Sequence, residues 1–151
     1  MTLKLREQPK GGHWEGMKGG AHPLKLGGRN LWARNIQILN GDNALIISGS
    51  HNTAVNIVLD QYLGRNSGYV GHMGIVMNGA QFSLVHNALI YGRWHHALCT
   101  VNSADDNVWS QMRMENGEID HHSAGGRRQL YTDIDAGEGK HRNHFAESLE
   151  A

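Results

Sequence analysis

The sequence predicts an all-β chain wound as a right-handed parallel β-helix, a solenoid of about four to five coils. Three observations predict it. Four short apolar runs each begin with an amide: Asn35-Ile36-Gln37-Ile38, Asn56-Ile57-Val58-Leu59, Asn87-Ala88-Leu89-Ile90 and Gln111-Met112-Arg113-Met114. A second set runs between them, at Ala44-Leu45-Ile46-Ile47, Gly74-Ile75-Val76-Met77, Ala97-Leu98-Cys99-Thr100 and, more loosely, Gln129-Leu130-Tyr131-Thr132. The amides recur at intervals of 21, 31 and 24 residues and the second set at 30, 23 and 32, so the two sets lengthen and shorten together. Internal periods of this size mark repeat architectures.

Each run is a strand because it is short, alternating or β-branched, and bounded by Gly, Asn, Asp or Ser. Few stretches before residue 141 keep a helical apolar stripe. Alternation turns Ile36, Ile38, Ile57, Leu59, Ala88, Ile90, Met112 and Met114 inward. Stacked coils lie ~4.8 Å apart, and about three short strands per coil are expected. Asparagine suits the corners because it tolerates left-handed backbone. In register, Asn35, Asn56, Asn87 and Gln111 can bond side chain to side chain as an amide ladder.

Composition sets the outer bounds. The 151 residues are one domain's worth, 39% hydrophobic and 19% charged, enough to bury a core. Fourteen basic and fourteen acidic side chains cancel, which disfavours a nucleic-acid binder. Seven of the basic residues lie within residues 1–34. The single cysteine, Cys99, excludes an intrachain disulfide framework and reads as a small buried hydrophobe. No run reaches the ~18 apolar residues of a membrane span, and the start MTLKLREQPKGG lacks a secretory apolar stretch. A cytoplasmic location follows for the chain as it stands.

Three regions follow. Residues 1–22 are a Gly-rich basic arm or imperfect first coil, residues 23–136 the repeat body, and residues 137–151 a tail. There Phe145 and Leu149 sit four apart, as a short capping helix requires. Solenoid ends expose strand edges, so a homo-oligomer is expected.

The stretch NLWARNIQILNGDNALIISGSHNTAVNIVLDQ resembles coils of the pectin-lyase-like superfamily. IDHHSAGGRRQLYTDIDAGEG is similar to a segment late in the β-helices of large secreted carbohydrate-active proteins of that group. The likeness covers residues 24–139. It implies the β-helix fold and membership of a group that holds lyases, hydrolases, epimerases, phage tailspikes and non-catalytic members.

Candidate chemistry sits in three segments, 60–73, 91–96 and 115–128, which follow equivalent strands and so leave the stack on one side. They carry Tyr62 and His72; Tyr91, Arg93, Trp94, His95 and His96; and Glu115, Glu118, Asp120, His121, His122, Arg127 and Arg128. Aromatic faces at Tyr62, Tyr91 and Trp94 suit the apolar side of a sugar ring, and Arg93 and Arg127 suit uronate carboxylates. His121 or His122, oriented by Asp120, supplies proton transfer. His96 completes the cluster. The expected partner is therefore an acidic polysaccharide, cleaved if at all by a lyase or hydrolase. The alternative is a non-catalytic assembly module, including a piece of a longer protein.

No cofactor is expected. His95-His96 and His121-His122 are adjacent pairs that in extended backbone split between two faces, and neither HExxH nor paired CxxC occurs. The one cation considered is Ca²⁺ at Asp133 and Asp135.

Overall fold

The computed structural model describes residues 1–4, 22–62, 71–122 and 124–137. The remainder of the basic arm, residues 63–70 of the 60–73 segment, and the tail with Phe145 and Leu149 lie outside the described residues.

The chain is a parallel β-helix of about four turns. Its strands are β1 (Thr2–Lys4), β2 (Leu24–Arg29), β3 (Trp32–Leu39), β4 (Asn43–Ser50), β5 (Thr53–Asp60), β6 (Met73–Asn78), β7 (Leu84–Arg93), β8 (His96–Val101), β9 (Val108–Asn116), β10 (Ile119–His121) and β11 (Leu130–Asp135). Odd strands form one sheet in the order β1-β3-β5-β7-β9-β11, and even strands form the other in the order β10-β8-β6-β4-β2. Every pairing between strands is parallel.

The register stacks like on like. Ile36, Ile57, Ala88, Met112 and Ile134 form one inward column, and Ile38, Leu59, Ile90 and Met114 a second. Leu45, Ile75, Leu98 and Ile119 face them from the other sheet. Apart from Ile134, which packs partly buried against the core, these side chains are buried. Removing this surface from water is the main favourable contribution to the fold.

The three short strands per coil appear as two hydrogen-bonded sheets, because the longer strands bend within themselves. Asn35, Asn56, Asn87, Gln111 and Asp133 all have φ of 55–56°, so each odd strand from β3 onward turns a corner there and its face-to-face alternation resets. Asn56 Nδ2 donates to Asn35 Oδ1 and Asn87 Nδ2 to Asn56 Oδ1, both at 2.8 Å. A second left-handed column, Asn30, His51, Phe82, Asp106 and Arg128, marks another corner. Its residues share no chemistry, so repetition of residue type does not reveal it.

One strand is reassigned. Leu130–Thr132 belongs to β11 and pairs with β9, in the first sheet rather than the second. The fourth repeat of the second set is β10, Ile119–His121, which pairs with β8. It escapes a search for apolar runs because only Ile119 is apolar.

Candidate functional site

In the second sheet the inward column Ile47, Met77, Thr100 and His121 ends in polar groups. Thr100 Oγ1 lies 2.7 Å from His121 Nδ1, and Tyr131 Oη lies 3.4 Å from His121 Nε2. Burial pushes the His121 imidazole below its ordinary pKa, against the raising influence of the Asp120 charge. Burial also raises the Tyr131 phenol. His121 is thus a half-buried group, bonded into the end of the core.

The outward column of the same sheet is Ile46, Val76, Cys99 and Asp120. Val76 and Cys99 join Met73 and Val101 in a buried apolar cluster separate from the main core. Asp120 sits at the end of this column and collects three neighbours on one oxygen. His122 Nδ1 is 3.2 Å from Asp120 Oδ2 and His96 Nδ1 is 3.3 Å from it. The Cys99 thiol donates to it at 3.8 Å. Burial keeps that thiol protonated, raising its pKa, and the nearby Asp120 carboxylate adds to the effect.

His96 also meets Glu118, with Nδ1 3.4 Å from Oε1. The side chains of His96, Glu118 and Asp120 are 5%, 9% and 8% exposed, whereas that of His122 is 39% exposed. Two further imidazoles bracket His96. The His95 ring meets it edge-on at 4.3 Å, and His72 lies 5.6 Å away. His96 N donates to His72 O, and His72 N donates to Asp42 O and Oδ1, so a polar column climbs this corner through successive coils. Burial raises the Asp42 carboxyl, partly offset by that bond from His72.

Segments 91–96 and 115–122 meet here, as stacking of equivalent corners requires. Gly92 N donates to Glu115 Oε2 at 2.8 Å, and the His96 contacts with Glu118 and Asp120 complete the join. Tyr91 and Arg93 form the end of β7, where the register with β9 shifts between Ile90 and Arg93. Tyr91 is 40% exposed. Trp94 is only 4% exposed and lies in the main core. Its Nε1 donates to Tyr91 O at 3.3 Å, and its ring covers Gly71, where a Cβ would come within 2.6 Å. The indole therefore fixes the path into His95 and His96 and offers no open face to a sugar.

The remaining candidates lie elsewhere. Tyr62 is engaged by Lys4 of β1, whose Nζ lies 5.3 Å from the ring centroid. Arg127 stands at the corner of Asp106 and Arg128, its N donating to Asp105 Oδ1 at 2.7 Å. Asp133 occupies a left-handed corner, and Asp135 Oδ1 accepts from Gly137 N at 3.0 Å.

Asp120, His96 and His122 are thus brought together; Tyr91 and Arg93 end β7, the strand that leads into His95 and His96, while His121, Trp94, Tyr62 and Arg127 serve other parts of the fold. Position in the coil adds Glu118, His72, His95 and Cys99 to the corner. Among the described residues, His96, Asp120 and His122 form a group whose ligand atoms all lie within 4.8 Å of one another. The chain matches no protein-family model, no curated protein and no solved structure, so its function is argued from this corner alone.

Proposed function

We propose that the protein is a pectin-lyase-like β-helix that binds, and processes, an acidic polysaccharide along the outer corner of its second sheet. The observation that carries this reading is the Asp120–His122 pair. A buried carboxylate holds the Nδ1 of a part-exposed imidazole at 3.2 Å and also meets His96, which follows the strand end that bears Tyr91 and Arg93. Carboxylate, imidazole, guanidinium and phenol are the groups needed to orient a uronate and act on its ring. Arg93 would meet the substrate carboxylate and Tyr91 the apolar face of the sugar. Asp120 and His122 would stand at the reacting bond. Cleavage by a lyase leaves an unsaturated end, whereas hydrolysis leaves only a new reducing end.

The test is a panel of uronate polysaccharides read for both kinds of end and for binding. The reading expects one polymer to respond, and Arg93→Ala and His122→Ala each to abolish the response with little change in melting temperature. No binding to any acidic polymer, or unchanged binding in both variants, overturns it.

A second reading, a structural module that self-associates, is favoured by one feature of the first sheet. Trp32, Thr53, Leu84, Val108 and Leu130 stand in register, and the terminal members Trp32 and Leu130 are 71% and 56% exposed. Sedimentation at micromolar concentration tests it. The reading requires a mass above that of a monomer, and a mass near 16.7 kDa rejects it.

A further inference from the structure

We propose that His96, Asp120 and His122 bind one divalent transition-metal ion of the zinc class. The site shares Asp120 and His122 with the corner proposed for the polysaccharide, and its test is separate from that reading.

The first argument is geometric. Four ligands at zinc's usual ~2.0–2.1 Å lie about 3.3–3.4 Å from each other when tetrahedral. The separations of Asp120 Oδ2 from His96 Nδ1 and from His122 Nδ1 are 3.3 and 3.2 Å. Two edges of the coordination polyhedron are therefore already at length. Each imidazole also offers a ring nitrogen within 4.8 Å of one on the other, and the His122 ring is part-exposed.

The second argument is charge. Glu118 and Asp120 are two carboxylates on β10 and the residue before it, each with a side chain less than a tenth exposed. Among the described residues, the groups at ion-pair distance from them are imidazoles. Two carboxylates so buried and so close together are an expensive arrangement. A divalent cation balances both and needs its imidazole ligands neutral. Glu118 Oε1 lies 3.4 Å from His96 Nδ1 but outside the group of three ligand atoms, so the fourth position is left to water.

The third argument is support around the ligands. The Cys99 thiol orients Asp120, and the rings of His95 and His72 confine His96. Such outer contacts hold first ligands in place at metal sites. Donor identity selects the ion: two imidazoles and a carboxylate suit Zn²⁺ or Fe²⁺ and discriminate against Ca²⁺ and Mg²⁺, which take oxygen ligands.

The test uses the full chain after dialysis against a chelator, with no saccharide present. Zn²⁺ is titrated calorimetrically, and Co²⁺ is added as a spectroscopic stand-in. The site predicts one ion per chain, a visible Co²⁺ band of four-coordinate intensity that Zn²⁺ abolishes, and a melting temperature that rises with Zn²⁺. Ca²⁺ and Mg²⁺ in excess should not compete. His122→Gln, a change at a part-exposed side chain, should weaken Zn²⁺ by at least about tenfold and leave the circular dichroism spectrum unaltered. Asp120→Asn should do the same where it folds. Absence of a stoichiometric site overturns the proposal, as does His122→Gln binding Zn²⁺ like the parent chain, since other histidines would then hold the ion. Zinc binding without any response on the polysaccharide panel would reject the substrate reading alone. The reverse result would reject the metal site alone.

Discussion

Asn56 is the middle rung of the amide ladder, and replacing it separates two contributions that the corner combines. Its φ is 55°, its Nδ2 donates to Asn35 and its Oδ1 accepts from Asn87, each bond at 2.8 Å. Alanine removes both bonds and places a side chain ill suited to left-handed backbone at the corner. The backbone strain is worth ~1 kcal/mol, the low end of the left-handed penalty. Each bond is exposed and contributes about 0.5–1 kcal/mol, since its partners regain water. Asn56→Ala should therefore lose about 2–3 kcal/mol. Glycine relieves the strain while still losing the bonds, so Asn56→Gly should lose about 1–2 kcal/mol. Urea unfolding followed by circular dichroism measures both, and in a thermal melt the alanine loss corresponds to about 4–12 °C. The expected order is Asn, then Gly, then Ala. Alanine as stable as glycine would refute the left-handed strain, and alanine within ~0.5 kcal/mol of the parent would refute the ladder as well.

Two further perturbations probe the stack. Ile57 is fully buried between Ile36 and Ala88; Ile57→Val should cost about 1 kcal/mol. Ile57→Asp should cost at least ~4 kcal/mol through a buried charge, and a soluble Asp variant melting like the parent would place the side chain on the wrong face. At the second corner, Arg128 Nη2 donates to Asp106 Oδ2 at 2.8 Å, and this bond holds the Asp106 carboxyl below its ordinary pKa. The pair is intact above the usual aspartate value of ~3.9 and is lost as pH falls through the lower folded value. A carboxyl-detected NMR titration should find that midpoint depressed in the parent and restored by Arg128→Gln; an unchanged midpoint would rule out the pairing.

The fold was legible because its signals repeat. The amide corners recur at 21, 31 and 24 residues, and the inward columns are Ile, Leu, Met and Ala at alternating positions, so burial and repeat agree. The second corner column was illegible because left-handed backbone is imposed there on Asn, His, Phe, Asp and Arg alike. No shared residue type marks it. Strand β10 was hidden for a related reason: two of its three residues, Asp120 and His121, are polar and leave no apolar run.

The candidate site was legible in part. Stacking of equivalent corners brings segments 91–96 and 115–122 together, and His96, Asp120 and His122 meet as that argument requires. Adjacent residues on a strand face opposite ways, which sends His121 to Thr100 and Tyr131 while His122 turns to Asp120. The role of Trp94 was not legible. A tryptophan in a Gly-flanked turn reads as a platform for ligands, yet here the absent side chain of Gly71 makes the space its ring fills. His96 and Cys99 reach Asp120 Oδ2 from the neighbouring turn, so their part in the convergence leaves no linear motif.

The claim that this outer corner is the working part of the molecule is tested most directly by diffraction from zinc-soaked crystals, recorded on both sides of the zinc absorption edge. The account predicts an anomalous peak about 2.0–2.2 Å from a ring nitrogen of His96, a ring nitrogen of His122 and a carboxylate oxygen of Asp120. A zinc peak confined to other histidines, with His96 and His122 still directed at Asp120 and no ion between them, would contradict it.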